Sequence, residues 1–138
     1  AAGPEVFNHN VEVVPRLYPY ARRGSTFARS TRVLKNAKLL GGDQVATKSG
    51  LMLGLGETKE EVVETFKHLR ESLVQVLTVG QYLRPTRDHE PVARYVTPAA
   101  FRAFEDEARI IGFPKVYSGV FVRSSFNAEE VYRGGGAS

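Results

Sequence analysis

The sequence predicts an α/β fold with parallel strands, and two patterns indicate this class. Apolar segments too short for a typical helix alternate with longer segments whose apolar residues recur at helical spacing. Strands that alternate with helices pair in parallel through right-handed crossovers, so their carboxyl ends share one edge of the sheet. Polar residues follow each predicted strand, at residues 8 to 12, 54 to 57, 80 to 89 and 123 to 127. Because ligands bind at such an edge, the sequence predicts a composite site there.

The composition is that of one globular domain. The chain has 138 residues, of which 42% are hydrophobic and 25% are charged. Its net charge of +4 suggests an anionic ligand or partner and does not require nucleic acid. No apolar run reaches the roughly 18 residues that span a bilayer, and no signal-peptide pattern opens the chain. We therefore expect a cytoplasmic protein, or one of the mitochondrial or plastid matrix in a eukaryote.

The first predicted strand, residues 5 to 8, precedes a segment that we expect to be a short helix, residues 11 to 17. Glu12 would then lie near the positive end of the helix dipole, and Pro19 would end the helix.

A longer helix is predicted from residue 27 until Gly41 and Gly42 end it. Its cationic residues are Arg29, Arg32, Lys35 and Lys38. A solvated basic face and a docking face for an acidic partner both explain this pattern.

The chain is organised around a strand at residues 47 to 53 that ends at Gly54 and Gly56. Glycine lets the backbone approach a ligand, but many glycine turns only reverse the chain, so the spacing alone leaves both interpretations open. Thr58 and Glu61 then form a capping box, which predicts that a helix begins at residue 59 and continues to about residue 72.

The second half of the chain repeats the alternation of strand and helix. A buried strand at residues 75 to 79 leads to a polar connection over residues 80 to 89, which holds two arginines and a histidine. The remaining predicted elements are a helix from residue 98 to Gly112, a strand over residues 115 to 118 and a short terminal helix capped by Asn127.

Four stretches of the chain resemble motifs of the lipoyl synthase family, one of the radical S-adenosylmethionine enzyme families. Residues 50 to 57, Gly-Leu-Met-Leu-Gly-Leu-Gly-Glu, match the pattern Gly-x-(Ile/Met)-x-Gly-x-x-Glu. Residues 8 to 12 resemble Asn-His-Asn-x-Glu, residues 77 to 86 resemble Leu-Thr-x-Gly-Gln-Tyr-x-x-Pro-(Ser/Thr), and residues 122 to 126 resemble Val-Arg-Ser-Ser-Tyr. The matches are collinear and cover nearly the whole chain, so they are far more specific than a single glycine loop.

The resemblance implies an α/β fold that is the C-terminal part of a partial (β/α) TIM-like barrel with parallel strands. Residues 1 to 133 would be the C-terminal half of a radical S-adenosylmethionine barrel, and residues 134 to 138 a flexible glycine-rich end. The implied cofactors are S-adenosylmethionine, which is cleaved to a radical at one 4Fe–4S cluster, and a second 4Fe–4S cluster that supplies sulfur. The implied substrate is an octanoyl chain on a lysine of a lipoyl-carrier protein or domain, and the product is the lipoyl cofactor. The N-terminal half of the barrel would be a further partner, and neither nucleic acid nor a membrane is implied.

The same resemblance implies cofactor-binding residues and leaves the catalytic residues unassigned. Contacts to S-adenosylmethionine are implied at Asn8, Asn10, Glu12, Met52, Gly54 and Glu57. Met52 and the Gly54 backbone would meet adenine, whereas Asn10 and Glu12 would meet the ribose or the amino-acid portion.

Ser125, or failing that Ser124, carries over as the hydroxyl ligand that completes the second cluster. The chain has no cysteine for either cluster, and Val13 and Phe126 stand where the family usually has Thr and Tyr. We therefore expect the chain to be a piece of a lipoyl synthase that is inactive by itself. Two alternatives stay open, namely a non-catalytic nucleotide- or phosphate-binding α/β module and an excerpt that does not fold alone.

Overall fold

A computed structural model describes residues 3 to 21 and 24 to 122. Four strands form one all-parallel sheet in the order β1 (Glu5–Asn8), β2 (Val45–Leu53), β3 (Val76–Gln81) and β4 (Lys115–Gly119). The helices are α1 (Tyr18–Ala21), α2 (Phe27–Gly41), α3 (Lys59–Glu71) and α4 (Pro98–Ile111), with short 3₁₀ turns at Pro15–Leu17 and Gly42–Gln44. The predicted α/β class with parallel strands is confirmed. Because sequential strands are neighbours throughout, the order is that of a (β/α) barrel segment, without the reversal of a doubly wound sheet.

The three long helices begin and end at residues with clear local causes. Thr26 and Thr97 accept hydrogen bonds from backbone N–H groups in the first turns of α2 and α4. Thr58 and Glu61 form the predicted capping box of α3, with both reciprocal hydrogen bonds present. Gly112 ends α4 at φ +117°, a conformation that favours glycine. Local sequence therefore determines the extent of these helices.

The hydrophobic core lies on one face of the sheet, against α2, α3 and α4. Alternate strand residues contribute to it, together with helix residues that are fully buried. Its fully buried members include Leu34, Leu53, Val62, Phe66, Leu69, Leu77, Val79, Phe101 and Ala108. Phe66 packs edge-on against Phe104 and Phe113, with ring centroids 6.2 and 6.3 Å apart. This apolar layer joins all three helices to the sheet.

The opposite face of the sheet carries the other half of the strand residues. Register places Asn8, Lys48, Val76 and Lys115 in one row, Gly50, Thr78 and Tyr117 in the next, and Met52, Gly80 and Gly119 in the third. This face is mixed in polarity and includes three glycines, unlike the apolar face that the helices cover. It is the face on which a barrel would have its interior.

The helix predicted over residues 11 to 17 is wrong for residues 11 to 14, since helical structure begins only with the 3₁₀ turn at Pro15–Leu17. Glu12 has φ +74° and pairs with β2, since its N–H donates to the Gly50 carbonyl at 2.9 Å and its carbonyl accepts from Met52 at 2.8 Å. Because β2 continues beyond the end of β1, its edge has backbone groups to which this segment binds, and those bonds compete with helix formation. Glu12 therefore does not lie at a helix N-terminus.

Other predicted boundaries differ from the structure by a few residues. Pro19 does not end a helix but lies in the first turn of α1, where a missing N–H costs nothing. β2 begins two residues earlier than expected, at Val45, and β3 continues through Gln81, so the polar connection begins at Tyr82. The expected terminal helix at Asn127 and the glycine-rich end lie outside the described residues.

Candidate functional site

Three of the four predicted polar segments lie at the carboxyl edge of the parallel sheet. They follow β1, β2 and β3, as the alternation of strands and helices predicted. The fourth segment, residues 123 to 127, lies outside the described residues, and so do Ser124 and Ser125. The described part of the site is therefore built by the segments that follow the first three strands.

Glu12 is held at this edge in an unusual backbone conformation. Its two backbone hydrogen bonds to β2 fix a positive φ, which costs a non-glycine residue free energy. The preceding residue, Val11, is fully buried, and its N–H donates to the Ser49 hydroxyl at 3.1 Å. A strained residue that its neighbours hold this firmly is typical of a functional position.

A small cavity of about 40 Å³ lies beside Glu12. Its lining residues are Glu12, Gly50, Leu51, Met52, Thr78, Gly80, Gln81 and Val122. A Cβ at Gly50 would lie 2.7 Å from the Thr78 hydroxyl oxygen and 2.9 Å from Asn10 Oδ1, and one at Gly80 would collide with the Val122 carbonyl oxygen. The glycines therefore allow these groups to come close to the strands.

The loop after β2 is organised by Glu57. This carboxylate is 7% exposed, and it accepts hydrogen bonds from the Gly54 N–H, at 3.1 and 3.0 Å to its two oxygens, and from the Leu55 N–H at 3.1 Å. The Gly54 carbonyl accepts from Ala93 at 2.7 Å and from Arg94 at 3.2 Å. Both polar groups of the Gly54 backbone thus bond within the chain. The structure gives Gly54 and Glu57 roles in the loop itself, and their contact with a ligand stays a prediction.

Arg16 joins the segment after Glu12 to the glycine loop. Its guanidinium donates to both carboxylate oxygens of Glu61, at 2.8 and 3.0 Å, and to the Gly56 carbonyl at 3.0 Å. The hydrogen bonds from Arg16 to the Glu61 carboxylate, together with one from the Thr58 backbone, lower the pKa of Glu61 to about 2. Sequence reasoning missed Arg16, because its partner Glu61 is 45 positions away and no motif links the two.

Gln81 joins the glycine loop to the long connection after β3. This side chain is 4% exposed; its Nε2 donates to the Tyr82 and Arg94 carbonyls at 2.9 and 3.1 Å, and its Oε1 accepts from Val96 at 2.8 Å. A Cβ at Gly54 would collide with Gln81 Nε2 and lie 2.6 Å from the Arg94 carbonyl oxygen. Gln81 lay inside a recognised motif, but only the fold shows which backbone groups it binds.

The connection from residue 82 to 96 is ordered by its own side chains. Arg84 donates to the carbonyls of His89 at 2.9 Å and Arg87 at 2.5 Å, and the Thr86 hydroxyl lies 2.9 Å from His89 Nδ1. Burial raises the pKa of Tyr82, so its hydroxyl stays protonated and donates to the Glu90 carbonyl at 2.6 Å. Polar residues that suggested function in the sequence thus build the loop that borders the site.

The predicted contact residues are only partly brought together. Asn10, Glu12 and Met52 gather around Gly50 at the cavity, whereas Asn8 lies at the end of β1 in the row of Lys48. Among the described residues no group of three His, Cys, Asp or Glu side chains is placed to hold a metal ion. The whole chain has no cysteine either, so these residues do not fit an iron–sulfur cluster. In the same described part, no helix is long and apolar enough to cross a membrane.

Sequential parallel strands with helices on one face, and polar residues after their carboxyl ends, are the arrangement of part of a (β/α) barrel. The chain is 50% identical over 136 residues to the lipoyl synthases of Burkholderia mallei (strain SAVP1) and Burkholderia pseudomallei (strain 668), a match of 99% of this chain. It is 52% identical over 129 residues, 94% of this chain, to the lipoyl synthase of Rubrobacter xylanophilus (strain DSM 9941). No family model matches the chain.

The chain is therefore a relative of the lipoyl synthases, as the motifs indicated. It spans about 41% of the length of the Burkholderia relatives and 40% of the Rubrobacter one. This share is consistent with the C-terminal half of such an enzyme.

Proposed function

We propose that this chain forms the C-terminal half of a lipoyl synthase, a sulfurtransferase that inserts two sulfur atoms into a protein-bound octanoyl chain. The placement of Glu12 carries the proposal, because this carboxylate residue lies beside Met52 at the carboxyl edge of a barrel-type sheet. The similarity to lipoyl synthases over 99% of the chain supports the same conclusion. The expected substrate is an octanoylated lipoyl-carrier protein or domain. The expected location is the cytoplasm, in keeping with the bacterial relatives, or the mitochondrial or plastid matrix in a eukaryote.

The residues at the cavity fit one part of S-adenosylmethionine. The Glu12 carboxylate suits the ammonium group of the amino-acid portion, the Asn10 amide suits hydroxyl groups, and the Met52 side chain suits the adenine ring. A cavity of about 40 Å³ is far smaller than the roughly 300 Å³ or more of a complete ligand pocket. The described residues therefore supply one wall of the site, and the remaining walls come from elsewhere. When bound, S-adenosylmethionine supplies the radical that removes hydrogen from the octanoyl chain.

We assign three roles to this chain's own residues in that reaction. Glu12 and Asn10 hold the cofactor, and the backbone bonds of Glu12 to β2 keep this segment in place before it binds. Gly54 and Glu57 shape the loop next to the expected position of the adenine ring. Asn8 adds a polar side chain at the end of β1, in the first row of residues on this face of the sheet. The thiolates for both clusters must come from outside these residues, and cluster ligation by Ser125 or Ser124 remains part of the proposal without a structural description.

Replacement of Glu12 in the full-length protein tests the proposal. Glu12→Gln removes the charge and keeps the shape, whereas Glu12→Gly removes the carboxylate and relieves the positive φ. We expect both variants to bind S-adenosylmethionine at least about tenfold more weakly in calorimetry, because a charge-assisted contact is lost. We also expect Glu12→Gly to unfold at no lower urea concentration, which separates loss of binding from loss of folding.

Glu64→Gln, an exposed change on α3, is the matched control and should bind normally. Sulfur insertion is read from the mass of the octanoylated carrier domain. The proposal is wrong if both Glu12 variants bind within twofold of the unaltered protein. It is also wrong if ATP or phosphate raises the melting temperature of the protein and S-adenosylmethionine does not.

A further inference from the structure

Helix α2 differs in charge from the other two long helices of the same layer. It carries four cationic residues and no acidic one, whereas α3 carries three Lys or Arg and four Glu, and α4 carries two Arg and three acidic residues. The other two helices carry charges of both signs, and in α4 Arg109 lies 3.5 Å from Glu105. Among the described residues, no acidic side chain lies within ion-pair distance of the α2 cations.

Three of the α2 cations lie on the solvent side of the helix. Lys38 is directed inward instead, since its ammonium donates to the Gly42 and Val45 carbonyls at 2.8 and 2.6 Å. The exposed side, named here the α2 face, consists of Arg29, Arg32, Val33, Lys35, Leu39 and Leu40. Its apolar members are 37%, 65% and 90% exposed in chain order. One exposed leucine is ordinary, but two leucines and a valine among three cations form a surface that suits a protein partner.

Helix α2 begins at the edge of the sheet that carries the candidate site. Ser30, in the first turn of α2, lies 3.3 Å from His9 Nε2, and His9 directly follows β1. The other end of the helix lies at the start of β2, where Lys38 binds the Val45 carbonyl. With a rise of about 1.5 Å per residue, the α2 face extends for roughly 16 Å away from the carboxyl edge of the sheet. A protein seated on it would therefore reach the edge of the sheet at which the segments after the strands lie.

We propose that the α2 face docks an acidic protein, the carrier domain whose octanoyl-lysine enters the site. The identity of the partner rests on the proposed function, but the choice of surface rests on the uncompensated charge and its position. Opposite charge steers such a partner and sets its orientation, and the leucines supply apolar contact. The same leucines favour a protein partner over a nucleic acid, because cationic and polar groups alone would contact a nucleic-acid backbone. A membrane is disfavoured because the buried side of α2, including Leu34, is already packed on the sheet.

Charge reversal of Arg29 and Arg32 tests the docking surface. The variant Arg29→Glu with Arg32→Glu should keep the fold, because residue 29 is in the first turn of α2, where acidic side chains are favourable. We expect the full-length protein to bind an octanoylated carrier domain about tenfold more weakly after the reversal, measured by fluorescence anisotropy. Raising the salt concentration from about 0.05 to 0.5 M should weaken binding by the unaltered protein and should affect the reversed variant much less.

The matched control reverses two exposed cations on the other helices, Lys67→Glu and Arg102→Glu, with the same change of net charge. It should bind within twofold of the unaltered chain. Circular dichroism and a urea melt establish that both double variants are folded. Three outcomes would overturn the proposal. The two double variants could weaken binding equally, or the α2 reversal could bind within twofold of normal. The third outcome is a loss of stability that accompanies the loss of binding. The last result would mean that another part of the protein covers α2.

Turnover by the full-length protein separates this proposal from the proposed function. The α2 reversal should slow sulfur insertion into the octanoylated carrier domain and leave insertion into a short octanoyl-lysine peptide unchanged. If the unaltered protein acts on neither substrate, the proposed function fails while the binding measurement still decides the docking surface. If the reversal slows sulfur insertion into both substrates equally, the assignment of the docking surface is wrong and the proposed function stands.

Discussion

The two faces of the parallel sheet differ in the residues that they present, and alternate residues of strand β2 show this difference. In β2, Leu51 and Leu53 face the helices and are buried in the core, whereas Lys48, Gly50 and Met52 face the other way. A parallel sheet covered by helices on both faces has strands of nearly continuous apolar residues. This alternation therefore indicates that one face is structural and the other faces the interior of a barrel, where a site is built.

Neighbouring residues of β3 provide the sharpest test of this difference. Val79 is 0% exposed on the helix side, and Thr78 is 2% exposed on the other side. Truncation to alanine removes similar volume from both, because valine and threonine side chains are of similar size. We expect Val79→Ala to lower the free energy of unfolding by about 2–3 kcal/mol, because it leaves a cavity in the apolar core. Thr78→Ala should cost less than about 1 kcal/mol, because its neighbours are polar or glycine.

Urea unfolding of the two variants gives both free energies. Binding of S-adenosylmethionine by the full-length protein should show the reverse order, with a larger loss for Thr78→Ala, which lines the cavity. Equal losses of stability would show that the two faces are packed alike.

The glycine loop should be the next most sensitive region. Gly54 and Gly56 have φ of +110° and +103°, so alanine strains the backbone at both positions. Only at Gly54 does a Cβ also meet Gln81 and Arg94, whereas at Gly56 it meets nothing within 4 Å. We expect unfolding free energy to fall by about 2 kcal/mol for Gly54→Ala and by about 1 kcal/mol for Gly56→Ala.

A double-mutant cycle with Gln81→Ala shows whether the contact accounts for the extra loss. The shorter side chain at residue 81 should reduce the cost of Gly54→Ala and leave that of Gly56→Ala unchanged. Identical costs for the two glycine variants would mean that the approach of Gln81 to Gly54 does not constrain the loop.

Sequence reasoning succeeded where a local pattern has one structural outcome. The capping box of α3, the glycines of the loop and the strand–helix alternation each predicted the observed element. It failed for residues 11 to 14, because the edge of β2 binds the Glu12 backbone, and no local pattern contains that edge. Arg16 was missed for the same reason, since its partner Glu61 lies 45 positions along the chain. Gln81 lay in a recognised motif, but its bonds to the Arg94 and Val96 backbone required the fold.

The smallest expected effect concerns the Arg16–Glu61 ion pair, which belongs to the edge of the site and not to the apolar core. Its side chains are 54% and 25% exposed, so solvent screens the pair and its contribution should be smaller than the cost of either glycine variant. The ordinary pKa of Glu61 is 4.5 and the folded value is about 2, so the ionised form is favoured in the native state. The stabilisation is therefore complete above pH 4.5 and is lost as the pH falls towards 2, whereas the contribution of the apolar core does not change with pH.

Glu61→Gln isolates this contribution, because glutamine keeps the capping box and removes the charge. The difference in urea midpoint between the unaltered chain and Glu61→Gln should be constant from pH 7 to 5 and should shrink between pH 4.5 and 2.5. Glu64→Gln, an exposed control on the same helix, should show no such trend. A difference that stayed constant down to pH 2.5 would mean that the ion pair does not hold Arg16 against the loop. The hydrogen bond from Arg16 to Gly56 would then have to position the glycine loop by itself.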